Sequence, residues 1–253
     1  DSTLEPAVAA AAKLAKSGAC AVVGSGRSSV EEQFITKQLA VALNASVSLV
    51  SRVGEGDGIL VSADRNPNVR GALVTGLIDV LPKQKLSALA TDIDAGNVTT
   101  VVSVGEDLAA AGLSAEQLAK VSIIYLGTHA NATSDAAKIL IPTLTTFEKS
   151  GTLVNQQFRI QKFARAVPPT SGTTDDLIVL AKLVAGVGGS VLAAEVNALW
   201  STIAAEVSAL TTLSLKSIPF TGLLLDGIPF ASLPFVEGPS LHFEPAAAAV
   251  TTA

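Results

Sequence analysis

The sequence predicts an α/β protein built on a doubly wound, mostly parallel sheet. Residues 19–45 have the pattern of a strand, a glycine loop and a helix, and an apolar run at 47–50 follows at once, which makes a βαβ unit. Strand and helix patterns then alternate to about Ile141, with short connections between them. Aromatic residues make up only 4% of the chain, so Ala, Val, Leu and Ile must form the core, as in parallel sheets covered on both faces.

The first two helices are predicted from their terminal residues. Residues 5–16 are rich in alanine, with Pro6 near the start and Gly18 just past the end, which is the usual asymmetry of helix termini. Ser29 and Glu32 have the spacing of a capping box at the start of the second helix. A strand therefore lies between two helices at the beginning of the chain.

The remaining elements up to Ile141 follow from apolar alternation and turn residues. Strands are predicted at 59–62, 97–104, 122–126 and 139–141. Short helices are predicted from Gly105, after the capping-box pair Ser114 and Gln117, and at 133–138. No element is assigned to the polar, lysine-rich stretch that follows Pro82.

Changes in composition divide the chain into three parts. We expect a Rossmann-like α/β domain at 1–142, an extended crossing loop at 143–170, and a helical extension with an irregular tail at 171–253. The extension should contain a helix from about Asp175 and a second one at 192–210 that includes Trp200, which we interpret as a packing anchor. Five prolines after Leu213 predict irregular coil or a hairpin, followed by a disordered alanine-rich end.

Composition argues against several classes of function. The net charge is −5 and the Lys and Arg residues are scattered, which argues against nucleic-acid binding. Cys20 is the single cysteine, so the chain cannot form an internal disulfide or hold an iron–sulfur cluster. His129 and His242 lie far apart, so no metal site of familiar spacing exists, and no apolar run of about 18 residues predicts direct membrane insertion. The start at Asp1 and the lack of methionine indicate a fragment of a longer protein.

The strongest candidate for a ligand site is the loop after the first strand, formed by Gly24, Ser25, Gly26 and Arg27. Its backbone N–H groups and the following helix N-terminus suit an anion. The third glycine of a dinucleotide fingerprint would fall on Ser29, and Arg52 stands where a ribose-binding acid is expected, which argues against nicotinamide and flavin dinucleotides. Two interpretations stay open: a bare tight turn, and a phosphate site that uses the backbone with Arg27 or Arg52.

His129 is the second candidate, because it follows the end of a predicted strand, where open α/β sheets bind ligands. A general base would need an orienting carboxylate, and only Asp135 is near in sequence. A helix-entry loop capped by Thr or Asn is the alternative. No arrangement of catalytic residues or metal ligands emerges, so we expect this fragment to catalyse nothing and to hold no metal.

A set of polar residues crowds the predicted crossing loop: Glu148, Lys149, Asn155, Arg159 and Lys162. They would form either a lip over a cofactor or partner, or a loop that is held by its own side-chain hydrogen bonds.

The same region carries a family resemblance. An apolar segment ends at Ile141-Pro142 and is followed by Glu148, Gly151, Thr152, Asn155, Arg159 and Gln161, in the order Pro, Glu-x-x-Gly-Thr-x-x-Asn, Arg, Gln. With the glycine loop and Asn66-Pro67-Asn68-x-Arg70-Gly71-Ala72, this order resembles the molybdopterin oxidoreductase family over residues 19–169. Within the family it is most similar to the large iron–sulfur subunits of NADH-quinone oxidoreductase (respiratory complex I). The family glycine before the arginine is Phe158 here.

The resemblance implies a fold like the third domain of formate dehydrogenase and DMSO reductase. It implies that the parent protein carries iron–sulfur clusters and passes electrons from NADH toward quinone, on the cytoplasmic side of the membrane to which its complex is attached. This fragment would be a scaffold without a cofactor of its own. It would contact other subunits of the complex and the upstream iron–sulfur domains of its own chain.

Two alternatives remain at this point. The chain could be the guanine-dinucleotide-binding domain of an active molybdopterin oxidoreductase such as a formate dehydrogenase, in which Gly24, Ser25, Gly26, Arg27, Arg52 and His129 would bind molybdopterin guanine dinucleotide. It could also be an independent nucleotide-dependent enzyme. Arg27 and Arg52 support the first alternative because guanidinium groups bind phosphate well.

Overall fold

A five-stranded, all-parallel sheet with the strand order β2-β1-β3-β4-β5 forms the centre of the fold. The computed structural model describes residues 2–237. In chain order the strands are β1 (Cys20–Ser25), β2 (Ser46–Val50), β3 (Thr100–Val104), β4 (Ser122–Gly127) and β5 (Ile139–Pro142). Helices lie on both faces, so β1 and β3 are buried along their whole length. The predicted doubly wound parallel sheet is confirmed.

Eight α-helices accompany the sheet in the described residues. They are α1 (Leu4–Ala15), α2 (Val30–Leu43), α3 (Val69–Val74), α4 (Ser87–Asp94), α5 (Ala115–Lys120), α6 (Ala132–Ala136), α7 (Asp176–Val187) and α8 (Val196–Glu206). α1 and α2 cover one face of the sheet, and α7 packs across both of them. α4 and α5 contribute to the core on the opposite face. No helix in residues 2–237 is long and apolar enough to cross a membrane.

Alternate strand residues divide the core into two layers, because successive side chains in a strand point to opposite faces. Val22 and Ile124 join the core with α1 and α2, whereas Val23 and Ile123 join the core with α4 and α5. The capping boxes that the sequence predicts are both formed: Ser29 and Glu32 begin α2, and Ser114 and Gln117 begin α5.

A small antiparallel sheet with the strand order β6-β7-β8 lies beside the parallel one. Its strands are β6 (Gly151–Val154), β7 (Arg159–Phe163) and β8 (Leu223–Leu224). The prediction of an extended loop through this region is therefore wrong for 151–163. The hairpin turn is held by the Asn155 side chain, which accepts hydrogen bonds from the N–H groups of Gln157 and Arg159. Phe158 is left-handed with φ of 57°, a conformation usually marked by glycine, so the turn gave no clear signal in the sequence.

Several local predictions differ from the structure. Residues 59–62 form a turn instead of a strand, because Asp57 Oδ1 accepts three successive backbone N–H groups there. No helix begins at Gly105; a turn at residues 108–112 follows instead. α4 was not predicted because it buries only Leu89 and Ile93 in its eight residues.

The C-terminal part agrees with a helical and irregular extension as far as residue 237. α7 and α8 are present, although α8 is shorter than the predicted helix at 192–210. Trp200 is buried, as expected of a packing anchor. The predicted disordered alanine-rich end lies outside the described residues. The division of the chain at 142 and 170 into domains stays a prediction.

Candidate functional site

A cavity of about 640 Å³ opens at the carboxyl ends of β1, β3 and β4, and we call it the switch-point cavity. β2 lies on one side of β1, while β3, β4 and β5 follow on the other side. Open parallel sheets bind ligands at such a point, because neighbouring loops diverge there and leave a crevice. The volume is within the range of pockets that hold small molecules.

Four of the six residues that the sequence predicts as cofactor-binding line this cavity: Ser25, Arg27, Arg52 and His129. Gly24 and Gly26 are instead packed against the protein interior. A Cβ atom at Gly24 would lie 3.1 Å from Leu77 and 3.3 Å from Leu49, and one at Gly26 would lie 3.1 Å from Asn66. The two glycines therefore permit close packing of the first loop. A cofactor-binding role for the six residues stays a prediction.

Glu106 is the central charged residue of the site, and its side chain is fully buried. Arg52 binds it through both terminal nitrogens, with Nη1–Oε1 and Nη2–Oε2 distances of 3.1 and 2.5 Å. The Ser25 hydroxyl also donates to Oε1 at 2.5 Å. These hydrogen bonds with Glu106 raise the pKa of Arg52 above its usual range, although burial opposes them. The sequence analysis missed Glu106 as a site residue; its place directly after the end of β3 was the available signal.

Arg27 shares this carboxylate with Arg52. Its Nη2 atom lies 3.5 Å from Glu106 Oε2 and donates to the carbonyl oxygen of Gly105 at 3.1 Å. About half of the Arg27 side chain is exposed. One buried carboxylate thus faces two guanidinium groups and holds both at the cavity.

Backbone groups of the first loop already have partners within the chain. The N–H of Arg27 donates to Ser25 Oγ, and the N–H of Ser28 donates to the carbonyl oxygen of Ser25. The N–H of Ser29 donates to Glu32 Oε2. Three N–H groups that could face a bound anion are therefore used for internal hydrogen bonds.

Two glutamates occupy the first turn of α2, the positive end of the helix dipole. Glu31 is fully buried and accepts hydrogen bonds from the Thr152 N–H and hydroxyl groups of β6, both at 3.0 Å. The Trp200 indole of α8 donates to the same carboxylate at 2.8 Å. Burial raises the pKa of Glu31 despite these hydrogen bonds. The helix N-terminus is thus supplied with negative charge by the chain itself.

Lys149 connects α2 to α7 at the edge of the cavity. Its Nζ atom contacts Glu32 and lies 3.0 Å from Asp176 Oδ2. Burial alone would lower the pKa of Lys149, but the two carboxylates outweigh it and raise the pKa. Burial and the nearby charge of Glu32 raise the pKa of Asp176 to about 7, although Lys149 opposes them.

His129 lies at the exposed side of the cavity. Its Nδ1 atom is 2.7 Å from the Thr128 hydroxyl, and its carbonyl oxygen accepts a weak hydrogen bond of 3.5 Å from Tyr125. The following helix α6 begins with an Asn131 capping box, as the alternative of a capped helix-entry loop predicts. In the described residues no carboxylate forms a hydrogen bond or ion pair with the imidazole.

Two of the five polar residues of the crossing segment hold the segment itself in place, whereas Lys149, Arg159 and Lys162 contact other parts of the chain. Glu148 accepts hydrogen bonds from Thr145 and Thr170, each through both backbone and hydroxyl groups, and these bonds lower its pKa to about 2. Asn155 holds the hairpin turn. Lys149 alone of the predicted set also lines the switch-point cavity. This arrangement agrees better with a segment that is held by side-chain hydrogen bonds than with a lip over a cofactor or partner.

The order of these elements agrees with a comparison against known families. The family model described as molybdopterin oxidoreductase matches residues 6–185, which is well over half of the chain. The chain belongs to the molybdopterin oxidoreductase family. The match begins in α1 and ends in α7, so this molybdopterin oxidoreductase domain includes the whole parallel sheet and the switch-point cavity. A search of curated proteins finds no match.

Proposed function

We propose that this chain is a non-catalytic scaffold domain of the large iron–sulfur subunit of an NADH-quinone oxidoreductase. In that role it would hold neighbouring domains and subunits in position and bind no guanine dinucleotide. The observation that carries the proposal is the first turn of α2, where Glu31 and Glu32 already supply negative charge to the helix end that would attract a ligand phosphate. Because both carboxylates have their own donors, they cannot leave without exposing unpaired groups.

The pyrophosphate of a dinucleotide does not fit the residues at this helix end. Glu31 and Glu32 carry carboxylates in the first turn of α2, so a diphosphate bound at this helix end would be repelled by their negative charge. Three loop N–H groups that could bind it are already used within the chain. The positive end of the α2 dipole, which could otherwise attract a ligand, is therefore used in contacts within the chain.

The arginines at the cavity favour the same conclusion. A phosphate that captured Arg52 would have to separate it from Glu106, which is fully buried. The buried carboxylate would then keep only Ser25 and the more distant Arg27 as partners, which disfavours the exchange. Arg27 is the more exposed of the two guanidinium groups.

The partners implied by this role are the iron–sulfur domains upstream of this chain and other subunits of a respiratory complex at the cytoplasmic face of a membrane. The clusters would belong to those upstream domains. Cys20 is a poor ligand for them, because burial in β1 raises the pKa of its thiol to about 11.

Thermal unfolding of the full chain with guanosine diphosphate tests the absence of a dinucleotide site, with adenosine diphosphate as the control. A ligand at about 100 times its Kd adds roughly 2.7 kcal/mol of stability. In a domain of this size that raises the melting temperature by roughly 2–4 °C per kcal/mol. We expect no guanine-selective rise. Metal analysis of the full-length parent should find iron without stoichiometric molybdenum, and stoichiometric molybdenum would overturn the proposal.

A second candidate function is the guanine-dinucleotide-binding domain of an active molybdopterin oxidoreductase. The size and position of the switch-point cavity favour it. The molybdenum cofactor would then supply the redox chemistry, and Arg27 and Arg52 would hold its phosphates. A guanine-selective rise in melting temperature, absent with adenosine diphosphate, would support this candidate.

A further inference from the structure

The segment after β8 packs back onto the rest of the fold, and a few side-chain contacts hold it there. Residues 225–237 contain no strand and one short 3-10 turn, Ile228–Phe230. Ala231 and Ser232 are exposed, as is Val236. Side-chain contacts at separate points therefore hold this segment, which we call the return segment.

The first anchor is aromatic and centres on Phe158 in the β6–β7 turn. Its ring stacks on Phe230 with a centroid distance of 5.2 Å and an interplanar angle of 7°. Phe235 meets the same ring edge-on at 6.2 Å. Both geometries are favoured by the charge distribution of aromatic rings.

Phe158 places a large ring at a backbone position where glycine is usual. The residue is fully buried and has φ of 57°, which is unfavourable for a residue with a Cβ atom. An outlier of this kind persists only where surrounding contacts determine it. Its surrounding contacts include the two rings of the return segment, and the Leu225 N–H that donates to the Phe158 carbonyl at 2.9 Å.

The second anchor is ionic and centres on Arg70 at the start of α3. Only 2% of its side chain is exposed, and Asp64 Oδ2 binds its Nη1 atom at 2.8 Å. Its guanidinium carbon lies 4.0 Å from the Phe235 ring centroid, and Nη2 contacts the carboxylate of Glu237. A guanidinium has five N–H donors, so a single carboxylate leaves it incompletely bound. Glu237 is itself fully buried at this contact.

We propose that Arg70 and Phe158 form a peptide-binding site for an aromatic residue followed two positions later by a carboxylate, and that Phe235 and Glu237 are its tethered ligand. The ring fits between Phe158 and the guanidinium, and the acid completes the coordination of Arg70. The tether keeps the ligand at high effective concentration, so the site is filled in the intact chain. This site is separate from the switch-point cavity, and no nucleotide chemistry enters it.

A free peptide with the sequence of residues 225–237 tests the proposal by fluorescence anisotropy against the full chain. The wild type should bind it weakly, because the return segment competes. The double variant Phe235→Ala/Glu237→Gln empties the site and should bind the peptide at least roughly tenfold more tightly, since intramolecular competition is removed. A peptide carrying the same two changes should not bind.

Phe158→Gly in the emptied variant should abolish peptide binding, because glycine accepts the left-handed backbone and lacks the ring. Phe220→Ala is the matched control, since that ring is 93% exposed. Equal affinity of the wild type and the emptied variant for the peptide would overturn the proposal.

Amide hydrogen exchange provides a second test that does not depend on the Phe158 variant folding. Phe235→Ala alone should speed exchange in residues 225–237, and Phe220→Ala should not. Unchanged exchange in the Phe235→Ala chain would also overturn the proposal.

Discussion

The Trp200 indole Nε1 donates a buried hydrogen bond of 2.8 Å to Glu31 Oε1, although 169 positions separate the two residues. The bond joins α8 to the first turn of α2. Thr152 of β6 binds the same carboxylate, so one buried acid ties together three elements that are distant in sequence. A helix end that could bind a ligand is in this way converted into part of the framework.

Trp200→Phe should destabilise the chain by removing one donor while keeping an aromatic ring. Glu31 keeps the two donors of Thr152, and a hydrogen bond to a charged group contributes about 1.5–3 kcal/mol. Thermal unfolding should therefore show a melting temperature lower by roughly 2–4 °C for each kcal/mol lost. Glu31→Gln provides the second edge of a double-mutant cycle. A coupling energy near zero between the two changes would contradict a direct interaction.

Glu106→Gln should convert the switch-point cavity into an anion site. The change removes the negative charge that Arg27 and Arg52 share, and it leaves two guanidinium groups facing the cavity. Titration calorimetry with inorganic pyrophosphate should show weak or no binding to the wild type. The Glu106→Gln variant should bind pyrophosphate roughly tenfold more tightly or better, which corresponds to about 1.4 kcal/mol of binding free energy. Glu116→Gln, on the exposed side of α5, is the matched control. Identical titrations for the two variants would contradict the role assigned to Glu106.

Local patterns in the sequence predict the framework well, and long-range contacts explain most of what they miss. The βαβ unit and both capping boxes depend on residues within a few positions of each other, so Ser29 and Glu32 could be paired from spacing alone. Glu106 acquires its role from Ser25, 81 positions earlier, and no local pattern indicates that contact. The β6–β7 hairpin was missed because Phe158 takes the left-handed position at which a glycine would have marked the turn.

In the candidate site, too, local sequence patterns predict some residues, and contacts with residues distant in sequence determine the rest. Ser25, Arg27, Arg52 and His129 were found because the carboxyl ends of parallel strands meet at one edge of the sheet. The sequence gives no sign that the N-terminus of α2 is filled, because Thr152 and Trp200, which bind Glu31, come from later elements.

Asp176→Asn should change how stability depends on pH. Burial and Glu32 raise the Asp176 pKa from 3.8 to about 7, so the folded state holds this proton more tightly than the unfolded state does. The resulting stabilisation is complete below about pH 4 and is lost as the pH rises through 7, at about 1.4 kcal/mol per pKa unit. The variant should therefore gain stability relative to the wild type between pH 4 and pH 8.

Urea unfolding at several pH values measures this difference. Asp135→Asn serves as the control, because Asp135 is an exposed acid in the first turn of α6. Its stability should follow the wild type at every pH. Parallel profiles for Asp176→Asn and the wild type would show that Asp176 titrates alike in the folded and unfolded states.

Asn68→Ala should be the most destabilising of these single changes. The Asn68 side chain is fully buried, and its Nδ2 atom donates to the Ser28 carbonyl at 2.7 Å and to Gln33 Oε1 at 3.0 Å. Its Oδ1 atom accepts from the Val154 N–H at 2.7 Å, so the amide joins the first loop, α2 and β6. Each buried group left unpaired costs about 1–3 kcal/mol.

The melting temperature of Asn68→Ala should fall by more than that of Trp200→Phe, because at least two buried groups lose their partner instead of one. Asn97→Ala is the matched control, because its side-chain amide makes a single hydrogen bond within residues 2–237, an exposed one of 3.3 Å to Asp92. Hydrogen exchange localises the effect, since the Val154 amide should exchange faster in Asn68→Ala and unchanged in Asn97→Ala. A protected Val154 amide in Asn68→Ala would mean that another acceptor replaces Asn68, and the predicted loss of stability would then be smaller.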